Sequence, residues 1–146
     1  MNPEDEQRLL HEICRNSNMG VEAIHQVLKD VYDEEFAYEL NIEAAKMKEF
    51  ERKAGRRLKE SGTAAGETKP VAKSMLKTAI RMKTAFQNST FHVAQMMQSG
   101  NRRGADELKK AIHKYKDAGI FATELAKEMV DFEEENLRKL QSYLEE

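Results

Sequence analysis

Phe36-Ala37-Tyr38-Glu39-Leu40-Asn41-Ile42-Glu43 returns 85 positions later as Phe121-Ala122-Thr123-Glu124-Leu125-Ala126-Lys127-Glu128. Phe, Ala, Glu, Leu and Glu keep their places in both copies, with the large apolar residues four apart, as on one face of an α-helix. Upstream, Gly20, Val21, Ile24 and Leu28 fall opposite Gly104, Ala105, Leu108 and Ile112, 84 positions later. A helix pair occurring twice in 146 residues predicts two αα-hairpins sharing one core, an all-α antiparallel four-helix bundle. The expected layout is one domain over 1–146: hairpin 1 over about 3–60, a crossover over about 61–86, and hairpin 2 over about 87–146.

Local signals mark the helix ends. Asn2-Pro3-Glu4-Asp5-Glu6 reads as an N-cap, a proline at the first helical position and acids complementing the helix dipole. The stripe Leu10, Ile13, Cys14, Ser17, Gly20, Val21, Ile24, Val27, Leu28 and Val31 carries helix A to about Val31. Asp33 caps helix B, whose stripe is Phe36, Leu40, Met47, Phe50, Ala54 and Leu58, and Gly62 stands at its C-terminal cap. Ser61 to Pro70 has no helical period and divides the halves.

Helix C holds one phase from Met75 through Tyr115. A continuous run from Val71 to Lys116 would be roughly 69 Å long, against roughly 42 Å for helix B. Breaks are therefore expected at Asn88-Ser89-Thr90 or Ser99-Gly100-Asn101. Helix D starts near Ala118-Gly119 and runs through Phe121, Leu125, Met129, Phe132, Leu140 and Tyr143. Glycines on the stripes, Gly20, Gly100 and Gly104, cost about 1 kcal/mol each in a helix, which close helix packing or a kink would offset.

Composition limits the function classes. With 34% charged residues, no Trp and a formal net charge of −2, no global field favours nucleic acid or an anionic membrane. The basic run around Arg102, Arg103, Lys109, Lys110, Lys114 and Lys116 is interrupted by Asp106, Glu107 and Asp117, and reads as a solvated face. A single cysteine, Cys14, and no apolar run of spanning length point to a reducing cytoplasm. A second, outward apolar stripe of Leu76, Ile80 and Ile112 with Ala126, Val130, Leu137 and Leu144 needs cover, from the crossover or from a second protomer, so a homodimer is expected.

Three stretches, Asn16-Ser17-Asn18-Met19-Gly20, Asn88-Ser89-Thr90-Phe91-His92-Val93-Ala94-Gln95-Met96-Met97 and Phe132-Glu133-x-x-Asn136-Leu137, give the chain a layout that resembles the ferritin-like superfamily. More narrowly, it is similar to bacterial ferritin-like proteins for which no activity is established. The resemblance implies two related hairpins joined by a crossover. In the di-iron members it implies inward carboxylates on all four helices and Glu-x-x-His pairs, because two hard cations need several oxygens plus imidazoles.

The helical wheel tests that implication. The only literal pair, Glu22-Ala23-Ile24-His25, points away, Glu22 by about 150° and His25 by about 90° from the helix A stripe. Glu43 lies within about 40° of its stripe centre, and its repeat partner Glu128 lies about 70° off helix D's. Helices A and C offer Ser17, Gly20, Ser89, Gly100 and Gly104 on their seams, not acids. Glu43 and Glu128 are thus the candidate ligands for iron or manganese, set against a structural role in which Glu43 pairs with a residue such as Lys83. His92, with Met96 and Met97, is a candidate for a soft ion such as Cu(I), set against methionine as gap-filler. His11 and His113 project to solvent, and Cys14 reads as a small core residue. No catalytic or cofactor motif stands out. The expected function is a structural, interaction or stress-related bundle without enzymatic chemistry or a complete di-iron site; the alternative is a metal-binding or redox bundle.

Overall fold

The computed structural model describes residues 1–62 and 90–145. Among them are four α-helices and no strand: α1 (Pro3–Leu28), α2 (Glu34–Glu60), α3 (Thr90–Lys114) and α4 (Ile120–Leu144). No helix among the described residues is long and apolar enough to cross a membrane.

The local signals act where the residues place them. Asn2 Oδ1 accepts from the backbone N–H groups of Glu4 and Asp5 at 2.9 and 3.3 Å, with Pro3 opening the helix. Asp33 Oδ1 accepts from Phe36 N–H at 2.9 Å. Gly62, φ 80°, follows α2, and Gly119, φ 92°, precedes α4; both occupy the left-handed region that glycine enters without strain. Asn2 N–H also donates to the Asp117 carbonyl at 2.7 Å, fastening the chain start to the α3–α4 turn.

Two expectations change. α1 ends at Leu28 rather than Val31, and α3 passes unbroken through Ser99-Gly100-Asn101. Gly100 is exposed and a Cβ there would meet nothing within 4 Å, so neither a kink nor close packing explains it. The break at Asn88-Ser89, the crossover, Leu76, Ile80 and Lys83 lie outside the described residues.

The core divides into two apolar clusters. One joins Leu9, Leu10 and Ile13 of α1, Phe50, Ala54 and Leu58 of α2, Leu108 and Ala111 of α3, and Ala122, Leu125 and Met129 of α4. The other joins Ile24 and Val27, Phe36 and Leu40, Val93 and Met97, and Leu140. Burying such side chains stabilises by about 1.5–3 kcal/mol each. The clusters also give the directions of the helices: α1 and α4 start, and α2 and α3 finish, at the first cluster. Gly62 and Thr90 therefore lie at opposite ends of the four helices.

The burial pattern repeats, though not in the register the sequence motif suggests. Leu9, Leu10, Ile13, Ser17, Val21, Ile24 and Val27 of α1, moved by 84 positions, land on Val93, Ala94, Met97, Asn101, Ala105, Leu108 and Ala111 of α3, all buried. Phe36, Leu40, Glu43, Ala44, Met47, Phe50 and Ala54 of α2 land on buried residues of α4 when moved by 86: Ala122, Ala126, Met129, Val130, Glu133, Asn136 and Leu140. Moved by 85, as the motif aligns, Phe36 and Glu43 fall on exposed Phe121 and Glu128. One residue turns a helix by about 100°, so the motif match and the buried face are different faces.

The same geometry absorbs the described part of the second apolar stripe except Leu137, which is half-buried and in neither cluster. Ala126 and Val130 belong to the first cluster, Ile112 packs against it, and Leu144 packs against the second. α4 meets α1 and α2 as well as α3, which widens its buried face. Ala126, Val130 and Leu144 therefore need no second protomer to cover them.

Candidate functional site

Between the two apolar clusters runs a layer of buried polar groups: Asn16 and Ser17 from α1, Glu43 from α2, Asn101 from α3, and Glu133 and Asn136 from α4. Each is placed by the helical period of an otherwise apolar face, and each falls near the middle of its helix.

Asn16 Nδ2 donates to the Gly104 carbonyl at 3.1 Å, a hydrogen bond from α1 to the backbone of α3. Asn101 Nδ2 donates to its own helix at the Met97 carbonyl, 3.0 Å away. Ser17 donates to Met129 Sδ at 3.7 Å. Two glycines make room. A Cβ on Gly20 would coincide with the Met47 thioether. A Cβ on Gly104 would lie 2.8 Å from Glu133 Oε2 and 3.1 Å from Asn16 Oδ1. At Gly20 the expected close approach of helices A and C is replaced by Met47 of α2, whereas at Gly104 Asn16 of α1 lies against the glycine together with Glu133 of α4.

Glu43 and Glu133 are 5% and 1% exposed, and among the described residues the Oε1 atom of each has no hydrogen-bond partner; nor has Asn136 Nδ2. Burial pushes the Glu43 carboxyl up to about 7, against the opposing pull of the Asn101 amide and the Lys139 charge. Burial first, and the neighbouring Glu43 charge second, push Glu133 up to about 9. Like charges this deep resist joint ionisation, so Glu133 stays protonated at neutral pH and Glu43 is the first to lose its proton.

Both residues line a cavity of about 130 Å³, whose wall includes Met19, Met47, Met96 and Met97. The cavity reaches the surface beside Gly100 and Arg103. At its rim Glu107 is held by Arg15 at 3.3 Å. A smaller void of about 40 Å³ lies on the other side of Glu43, next to Asn136 and Lys139.

The remaining sequence candidates lie elsewhere. Glu128 is exposed and lines a different surface concavity with Lys53, Arg57 and Phe121, so the structure does not bring it to Glu43. His92 is half-buried with its ring edge-on to Phe91 at 5.5 Å, and it does not line the methionine-walled cavity that Met96 and Met97 do line. Glu22 is half-buried, bonded by Gln26 at 3.3 Å, and His25 is exposed. His113 is exposed, whereas His11 is half-buried rather than solvated. Cys14 is buried, its thiol directed at the Glu51 carbonyl. Among the described residues, no group of three or more His, Cys, Asp or Glu side chains is placed to hold a metal ion.

Glu133 is the residue that wheel analysis passed over. Its signals were present in Phe132-Glu133-x-x-Asn136 and in the 86-position shift that carries Met47 to Glu133 and Glu43 to Met129. The two hairpins thus exchange Glu and Met at matched positions. Their contacts correspond as well: Gly20 with Met47 matches Gly104 with Glu133. Ser17 with Met129 matches Asn101 with Glu43. Comparison with known proteins finds no matching family model, no matching curated protein and no matching solved structure.

Proposed function

We propose that this chain is a ferritin-like antiparallel bundle of two repeated hairpins that works without enzymatic chemistry, as a structural, interaction or stress-related component, its central layer incomplete as a di-iron centre. The observation that carries the reading is the donor set of that layer: two carboxyls, three amides and a hydroxyl, with no imidazole. Di-iron chemistry in such bundles needs four acids and two histidines. The helix directions, with Gly62 and Thr90 at opposite ends, support a ferritin-like crossover, and the matched burial of α1 with α3 and of α2 with α4 supports the duplication. A carboxyl held neutral by burial is a packing and specificity element rather than a ligand.

Metal analysis of protein purified without chelator tests this reading. Iron and manganese well below one per chain are expected. Near-stoichiometric metal that disappears in both Glu43→Gln and Glu133→Gln would overturn it in favour of a metal-binding or redox bundle. That second reading has one observation in its favour: Glu43 and Glu133 line one cavity, and each has a carboxyl oxygen without a hydrogen-bond partner among the described residues.

The homodimer belongs to the same proposal, resting now on Tyr38 and Ile42, exposed one turn apart on α2, and light scattering tests it. The reducing cytoplasm rests on the single, buried Cys14.

A further inference from the structure

The central cavity has two unlike halves. Glu43 and Glu133 line one half, both more than nine-tenths buried and each with an Oε1 that has no hydrogen-bond partner among the described residues. Of the amides that line the cavity, Asn16 donates to the Gly104 carbonyl, and Asn101 donates to the Met97 carbonyl and also reaches Glu43, while the unpartnered Asn136 Nδ2 belongs to the smaller void. The open hydrogen-bonding capacity of the two Oε1 atoms is therefore for a donor, and a positively charged one is drawn most strongly to Glu43, the first of the pair to ionise. The wall is methionine from three helices, Met19, Met47, Met96 and Met97, apolar and able to reshape around a guest.

Size and donor count narrow the occupant. A void of about 130 Å³ approaches the roughly 150 Å³ engineered cavity that takes benzene, so it has room for roughly five or six non-hydrogen atoms. A bare metal ion would leave most of that space empty and would find too few donors among the described residues. Water alone would satisfy these oxygens but gain no hydrogen bonds from the thioether wall.

We propose that this cavity is a binding site for a short primary alkylammonium, its charged head between the Glu43 and Glu133 carboxyls and its chain against the methionines. The nearby charges leave the head a route in. Lys139 lies on the far side of Glu43, and at the rim Arg103 stands beside Glu107, which Arg15 already engages. Gly20 completes the site, because any larger residue there would drive the Met47 thioether from its place in the wall. The proposal rests on the carboxyl pair and the cavity, and is independent of whether the bundle lacks enzymatic chemistry.

Calorimetric titration of the full chain with n-butylammonium chloride tests it, with n-butanol as the uncharged counterpart and sodium chloride at matched ionic strength. Saturable binding of one butylammonium per chain is expected, at least tenfold tighter than n-butanol. The affinity should fall at least tenfold in Glu43→Gln and Glu133→Gln, both checked for wild-type helix content by circular dichroism. Butylammonium that fails to saturate, or n-butanol that binds equally well, would overturn the proposal. So would folded Gln variants that bind as wild type. None of these outcomes bears on metal content. Conversely, stoichiometric iron or manganese that blocks butylammonium would sink the earlier reading, while butylammonium binding in metal-free protein would still stand on its own.

Discussion

Glu133→Gln should make the protein more stable at neutral pH, and the gain should vanish in acid. In the folded chain this carboxyl is raised from an ordinary 4.5 to about 9, by burial first and then by Glu43. Below about pH 4.5 folded and unfolded chains both hold the proton, and the group contributes no pH dependence. Above it the unfolded chain releases a proton that the folded chain keeps, so stability falls by about 1.4 kcal/mol per pH unit until the folded carboxyl itself ionises. By pH 7 the wild type has lost about 3 kcal/mol through this one side chain. Gln has nearly the same shape and cannot ionise, so the variant escapes the loss.

Urea unfolding of both proteins near pH 5 and near pH 7 measures the effect. The difference in their unfolding free energies should move in the variant's favour by about 2–3 kcal/mol between the two, or upward of about 4 °C in Tm at this chain length. Any constant shift that the Gln amide brings to both measurements drops out of the comparison of slopes. Parallel stability curves would refute the reasoning, because they would mean that Glu133 ionises in the folded chain as an ordinary surface carboxyl does.

Further substitutions probe the glycines, the caps and the exposed acid. Gly100→Ala, with open space at its Cβ, should raise stability by about 1 kcal/mol. Gly104→Ala, which pushes into Glu133 and Asn16, should lower it by about 1–3 kcal/mol, and thermal melts of the two compare them directly. Asp33→Ala removes the acceptor for Phe36 N–H and should cost about 1 kcal/mol, read by chemical denaturation. Glu128→Gln should change stability by less than about 0.5 kcal/mol, consistent with its exposure, when melted beside Glu133→Gln.

The helix ends were legible because their chemistry is local. Asn2, Asp33, Gly62 and Gly119 act on backbone groups within a few residues, and each stands where its residue type implied. Glu43 was legible because large apolar residues, Phe36, Leu40, Met47 and Phe50, surround it on its own helix and define the buried face. α4 offers a poorer guide. Leu125, Met129 and Leu140 are buried as the stripe implies, but Phe121 is 45% exposed and Phe132 only half-buried, and Ala122, Ala126 and Val130 make up the rest of the apolar buried face. Small residues suit close helix approach, but they contribute little to a wheel weighted by hydrophobicity. The centre of α4 was therefore placed off its true position, and Glu133 dropped out of view. The cavity was illegible for a different reason, since Met19, Met47 and Met96 meet only once three helices are assembled.

The exchange of Glu and Met between matched positions bears on how the two halves choose each other. Glu43 of the first hairpin finds the Asn101 amide in the second, while Met129 of the second receives the Ser17 hydroxyl of the first. Were two copies of the first hairpin to assemble in the same way, each Glu43 would confront a serine in place of an amide. Two copies of the second would set both Asn101 amides against thioethers. Neither like-with-like pairing reproduces the native partnerships, so a single buried layer favours the union of unlike halves and works against the pairing of like hairpins from neighbouring chains.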